Sequence, residues 1–247
     1  MTERWLFFIL ALLFLNLPAE VSAQEKAVVP DSLVALKNSI SLYRDRIQYN
    51  SFIYEGLEYV GYSDNVIGHP FFESPRWKKG NLYYKGRYYP QVDMLYDIVS
   101  DELVIMNYKG ATMIKLLKSD ISSFSQENHN FIKIDAQEAK NSSLSKGFYD
   151  LLYNGDSQVL AKRKKEITQP IAEMRVSSEF VQRDTYYIKK GNTYYQVTNK
   201  SSVLRVLKDH KRDVRRSLKA DGINFRKNPE QAIVKMVEYY DRANSRQ

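Results

Sequence analysis

Between Asn81 and Asp135 the chain passes through five short runs of β-branched and aromatic residues, "NLYY", "YYPQVDMLYDI", "ELVIMNY", "TMIKLL" and "NFIKID", separated by turn-forming residues. Such runs are too short for independent helices and reach stability only by pairing with their neighbours, so they predict an antiparallel meander. A second region of the same kind starts at Gly147 with "GFYDLLY", turns at Asn154-Gly155-Asp156, returns through "SQVLAKRKKEI" and closes with "TYYIKKGNTYYQV". The polar stretch "AKNSSLS" lies between them and is the best place for an internal boundary, near 139–146.

"LYYKGRYYPQVDMLYD", Leu82 to Asp97, is the most tyrosine-dense stretch of a chain that contains 19 tyrosines. With Lys85-Gly86 as a two-residue loop, Tyr83 faces Tyr88 on one side of a ribbon, while Leu82, Tyr84, Arg87 and Tyr89 share the other. One tyrosine of each pair can then be core, so the stretch reads as structure first. "YYIKKGNTYYQV" echoes it, again two tyrosine-rich strands around a glycine turn. Gly86 and Gly155 are both expected in turns of positive φ.

Helical periodicity appears at the two ends. Leu33, Leu36, Ile40, Tyr43 and Ile47 predict an amphipathic helix over about 32–48, with Asp31 or Ser32 as its cap. Val203, Leu207, His210, Val214 and Leu218 predict a second, capped by Ser201 or Ser202. Asn228-Pro229-Glu230-Gln231 starts a third, whose buried stripe is Ile233, Met236, Val237 and Tyr240. The predicted fold class is therefore α+β: antiparallel β-meanders covered by an N-terminal helix and a C-terminal helical pair at about 201–242. Residues 24–247 are expected to form a single domain.

Arg4, the apolar run Trp5 to Leu17, the break at Pro18 and the small residues Val21-Ser22-Ala23 predict a signal peptide over 1–23. Cleavage is expected between Ala23 and Gln24, giving an exported protein, periplasmic or secreted. The run is short for a span of roughly 20 residues, and no later stretch approaches that length, so no transmembrane segment is expected after cleavage. There is no cysteine, which excludes a disulfide framework, a thiolate metal site, a cysteine nucleophile and a lipidated cysteine. The formal net charge is +8, and losing Arg4, Glu3 and Glu20 with the leader raises it by one. An exported basic protein meets lipid headgroups, acidic glycans and acidic proteins, so nucleic acid is the least expected partner.

Taken in order, "GHPFFES", "GNLYYKGRYY", "VDMLYDIVSDELVI", "GFYDLLYNG", "VLAKRKKEI", "YYIKKGNTYYQVTNKSSVLRVLKDHKRDVRRSL" and "NPEQAIVKMVEYYD" resemble a family of uncharacterised exported proteins from Bacteroidetes. The resemblance runs from about Phe52 to Asp241. It implies a Gram-negative envelope setting and carries no activity, cofactor or catalytic residue.

Asp93 and Asp97 are the obvious pair for a hydrolase, on one face of one predicted strand. Four strand residues span roughly 13 Å, beyond the roughly 5 to 9.5 Å of glycosidase carboxyl pairs, so the spacing argues against them. Asp101 and Glu102 fall in the turn that follows. His69, His129 and His210 lack any metal-ligand spacing, His210 reads as a packing residue, and His129 reads as a loop tip. No nucleophile elbow, phosphate loop or zincin motif occurs, and no cofactor, metal or catalytic residue is assigned. The densest positive patch is Lys208 to Lys227, with eight basic and three acidic residues. Lys208, Lys211, Arg212, Arg215, Arg216 and Lys219 are the expected contacts for an anionic envelope component. The expected function is a non-catalytic binding or interaction protein of the bacterial cell envelope. The alternative is an envelope hydrolase whose site is assembled from separated residues.

Overall fold

The computed structural model describes residues 35–36, 38–39, 52–107, 110–135, 144–169 and 177–245. The chain divides into two units, residues 1–48 and 49–247. In the first, Ala35, Leu36, Asn38 and Ser39 are helical, and the Ser39 hydroxyl donates to the Ala35 carbonyl at 2.8 Å. The rest of the expected 32–48 helix, and the whole expected signal peptide, lie outside the described residues.

The described residues of the second unit form fourteen strands: β1 (Gly56–Glu58), β2 (Val66–Ile67), β3 (Lys78–Tyr84), β4 (Arg87–Asp97), β5 (Glu102–Met106), β6 (Met113–Leu116), β7 (Ile121–Gln126), β8 (His129–Ile134), β9 (Gly147–Asn154), β10 (Ser157–Lys162), β11 (Lys165–Thr168), β12 (Ser178–Gln182), β13 (Thr185–Lys190) and β14 (Thr193–Val197). Eleven of them form one antiparallel sheet in the order β1-β6-β5-β4-β3-β7-β8-β9-β10-β13-β14. The other three, β11-β12-β2, make a small second sheet in which β12 and β2 run parallel. Most of "AKNSSLS" is outside the described residues, but the strands on either side of it, β8 and β9, are hydrogen-bonded neighbours.

The large sheet is strongly curled. β4 and β9 are four strands apart, which in a flat sheet would separate them by roughly 19 Å. Yet the Tyr96 and Phe148 rings lie 6.1 Å apart, in one cluster with Leu82, Tyr84, Met94, Leu103, Phe124 and Phe131. Aromatic rings fill the trough because only bulky side chains reach across such a curve. A main-chain hydrogen bond from the Lys165 amide to the Ile98 carbonyl, at 3.0 Å, ties the start of β11, just past β10, back to the end of β4. The sheet thus resembles an incomplete barrel with a seam beside Asp97, Ile98 and Asp101.

The tyrosine hairpin forms as its alternation requires. Tyr83 pairs with Tyr88, their rings 4.9 Å apart on the exposed side, while Leu82, Tyr84 and Tyr89 are buried. Lys85 and Gly86 both take positive φ, at 49° and 72°, as a two-residue loop between twisted strands demands. Arg87 shares the inward register but stays exposed, its guanidinium over the Phe52 ring. Gly155 departs from expectation, since it is absent from the positive-φ glycines of the described residues. What favours a glycine there is the close approach of the Tyr153 and Asp241 side chains, which an added Cβ would have to displace.

The expected α+β class is overturned. Strand dominates, and among the described residues of this unit the α-helices are C-terminal only: α1 (Lys200–Val206), α2 (Lys211–Ala220) and α3 (Pro229–Asn244). The helix drawn through Val203 and Leu218 is two helices, because a 3-10 turn at Lys208–His210 breaks it. Its cap is neither Ser201 nor Ser202 but Asn199, whose side chain accepts from the Ser202 amide while the Ser202 hydroxyl closes the capping box. α3 begins at Pro229 as predicted, though without a side-chain cap bond from Asn228. Ile233, Met236, Val237 and Tyr240 of α3 pack with Val203, Leu207, Val214 and Leu218 onto Val159, Ile188 and Val197 of the sheet. The helices cover only this part, while the rest of the core is closed by the sheet's own curvature.

Candidate functional site

Three features stand out: a buried charge network along the seam, an aromatic cleft beside it, and a basic helix face. The network grows from "AKRKK", where successive side chains leave the backbone in opposite directions. Lys162 reaches Asp101 at 2.9 Å and the Phe148 carbonyl at 3.0 Å. Arg163, only 5% exposed, gives Asp150 two hydrogen bonds, at 3.0 and 2.6 Å, and reaches Asp184 and Glu230 at 2.7 Å each. Lys164 stays outside with Glu166. Lys165 is buried and donates to the carbonyls of His69 (2.9 Å) and Phe71 (2.7 Å).

Arg163 therefore joins β9, the turn before β13 and the first turn of α3. Burial works against its charge, but the hydrogen bond to Glu230 and the field of Asp150 outweigh it, and its pKa is raised. His129 is not the expected loop tip. It opens β8, its Nδ1 lies 2.7 Å from Asp150, and its Nε2 lies 3.3 Å from Glu73. The hydrogen bond to Asp150 raises its pKa above the ordinary value.

Asp97 is fully buried. One oxygen accepts from the Val99 and Ser100 amides, and the other accepts from the hydroxyls of Tyr59 (2.9 Å) and Tyr62 (3.1 Å). Asp101 accepts from Tyr96, Lys162 and Lys118. These carboxylates are occupied as acceptors, which makes them anchors of the seam. Asp93 is exposed, so the pair weighed for hydrolysis is one anchor and one surface group. Among the described residues no cluster of His, Asp or Glu could hold a metal ion.

Tyr59 and Tyr62 also wall a cleft of about 310 Å³, with Phe71, Phe180, His69 and Met113. Tyr62 and Phe180 meet edge to face at 5.4 Å, Tyr59 and Phe71 lie 6.1 Å apart, and His69 stacks on Phe71 at 6.4 Å. Burial, and then Asp97, push the Tyr62 hydroxyl up to about 12 and Tyr59 higher still, so both rings stay phenolic at neutral pH. Burial, reinforced by Lys165, lowers the pKa of His69, so its ring is neutral at pH 7.

On α2, Val214 and Leu218 face the core, while Lys211, Arg212, Arg215, Arg216 and Lys219 are exposed, as is Lys208 in the turn before it. Arg216 makes one loose contact with Asp213 at 4.0 Å. Among the described residues, no ion pair involves the other five. Elsewhere Lys78, Lys85, Lys115, Lys118 and Lys162 each hold a carboxylate, while the strand cations Lys79, Arg87 and Lys189 form no ion pair among the described residues. His210 packs edge to face on Tyr240, at 5.6 Å, as a packing residue would.

Sequence reasoning brought the basic face together but missed Arg163, Lys165, Asp150 and the cleft tyrosines. One signal was present. A run of four cations inside a β-rich segment sends alternate side chains inward, and an inward cation needs buried acceptors, whether carboxylates as for Arg163 or carbonyls as for Lys165. No helix of the described residues is long and apolar enough to cross a membrane. No family model, curated protein or solved structure matches the chain, so each residue's role has to follow from its own geometry.

Proposed function

We propose that this is an exported, non-catalytic binding protein of the bacterial cell envelope whose α2 face engages an anionic component, a lipid headgroup, acidic glycan or acidic protein. One observation carries the reading: α2 buries its apolar stripe completely and turns outward Lys211, Arg212, Arg215 and Lys219, which form no ion pair among the described residues. An unneutralised basic face attracts anionic surfaces through a field that adjacent carboxylates would otherwise cancel. The leader-like residues 1–23 support export with cleavage after Ala23. No observation favours the hydrolase reading, because the buried carboxylates are committed to structural hydrogen bonds.

The test is charge reversal of Lys211, Arg212, Arg215 and Lys219 to Glu, with envelope association measured by fractionation and the fold checked by urea unfolding. Association should be lost while the unfolding midpoint stays close to that of the parent. In the unaltered protein, association should weaken as salt rises from about 0.05 to about 0.5 M, since the screening length falls from roughly 14 to roughly 4 Å. Association indifferent to both changes would refute the reading. Mass spectrometry of the processed protein should show Gln24 as its first residue, and a full-length mass in the envelope would overturn export by cleavage.

A further inference from the structure

We propose that the cleft walled by Tyr59, Tyr62, Phe71 and Phe180 is an aromatic cage for a quaternary ammonium group, the trimethylammonium head of a choline-like solute or of a lipid headgroup. This site is independent of the basic face on α2. Its volume, about 310 Å³, is at the lower end of small-ligand sites, which suits a compact head and not an extended molecule.

The walls meet at steep angles. Tyr62 and Phe180 are nearly perpendicular, at 83°, and Tyr59 is tilted by 42° to Phe71. Four rings at differing angles thus line one small volume, the kind of wall that captures a methylated cation. Both tyrosine hydroxyls donate to the same oxygen of Asp97. A phenol that donates to a carboxylate carries more electron density on its ring, which strengthens its attraction for a cation above the face.

Charge selects the sign. Deep in the site Asp97 is offset by Lys165, and Glu102 is engaged by Lys115. His69 is neutral at pH 7. What remains is Asp64 at the rim, exposed and outside every ion pair among the described residues, so the local balance is negative.

Hydrogen bonding then separates a quaternary from a primary ammonium. A carboxylate has about four acceptor positions, and Asp97 already accepts from two tyrosines and two amides. A primary ammonium entering the cage would find Asp97 saturated and only the two phenol oxygens as acceptors, leaving part of its N–H groups unpaired at a cost that offsets its attraction. A trimethylammonium head has no N–H to satisfy, and its methyl groups match the apolar walls.

The test uses the full-length mature protein and isothermal titration with three compounds: choline, its neutral isostere 3,3-dimethylbutan-1-ol, and ethanolamine, the smaller primary ammonium analogue. Choline should bind saturably and both comparators at least about ten-fold more weakly, the ratio a desolvated cation–π contact supplies. Phe180→Ala, at a partly exposed position on β12, should reduce choline binding by about ten-fold or more, and Asp64→Asn at the rim by a smaller factor. Phosphatidylcholine vesicles identify the source. Co-sedimentation displaced by free choline assigns a headgroup, and choline binding without vesicle binding assigns a soluble ligand. Equal binding of choline and the neutral isostere, or no saturable binding of choline at all, would overturn the proposal without reference to any variant.

Discussion

Replacing Arg163 with Met tests whether the buried network holds the sheet to the helices. Met keeps much of the apolar stem and removes the guanidinium, so Asp150, 1% exposed at its side chain, loses two hydrogen bonds and its nearest cation. Removing one member of a buried pair costs about 3–5 kcal/mol, because the other charge stays behind unpaired. Asp184 lies partly in solvent and Glu230 is about a third exposed, so their contacts add little to that figure. With a urea slope of about 2 kcal/mol/M, the unfolding midpoint should fall by roughly 1.5–2.5 M. His129 makes the loss depend on pH. Its pKa is raised above 6.5 by the hydrogen bond to Asp150, so its stabilisation is complete below that value and disappears as pH rises through the folded-state pKa. At about pH 5.5 the imidazolium stands in for the missing guanidinium, and at about pH 8 it does not, so the variant should lose less at the lower pH. A loss below about 1 kcal/mol at both pH values, the level of an exposed ion pair, would refute the argument. A large loss that ignores pH would remove His129 from it.

Two further substitutions probe local geometry. A Cβ at Gly155 would lie 2.4 Å from the Tyr153 hydroxyl and 2.6 Å from Asp241 Oδ2, so Gly155→Ala should destabilise by about 1–3 kcal/mol in chemical unfolding; a neutral result would mean that Tyr153 swings away freely. Asn199→Ala removes the side-chain acceptor of the α1 capping box and should cost about 1 kcal/mol in the same assay, whereas Ser201→Ala should cost almost nothing; equal costs would argue against Asn199 as the cap.

Sequence periodicity alone determined the local pieces. Alternation along Leu82 to Tyr89 specified which tyrosines turn inward, because side chains leave a strand with a period of two, and Lys85-Gly86 specified the turn. The buried stripes of α2 and α3 followed from helical spacing in the same way, and with them the exposed cations of α2. What periodicity does not contain is distance between segments remote in the chain. Whether two β-rich regions form separate meanders or one sheet depends on pairing across "AKNSSLS", and β8 joined to β9 made it one. The α+β expectation failed there, since a sheet that curls far enough to bring Tyr96 against Phe148 covers its own apolar face and leaves the helices only one end to cover. The fate of "AKRKK" was tertiary too. A cation enters a core only where acceptors await it: Lys165 finds the carbonyls of His69 and Phe71, Asp150 reaches Arg163 because β9 and β10 are neighbours, and Glu230 arrives from a helix 67 residues further on. The cleft is assembled from Tyr59, Phe71 and Phe180, which meet only after β2 pairs with β12, a contact that no local pattern announces because its energy is realised only once the chain has closed.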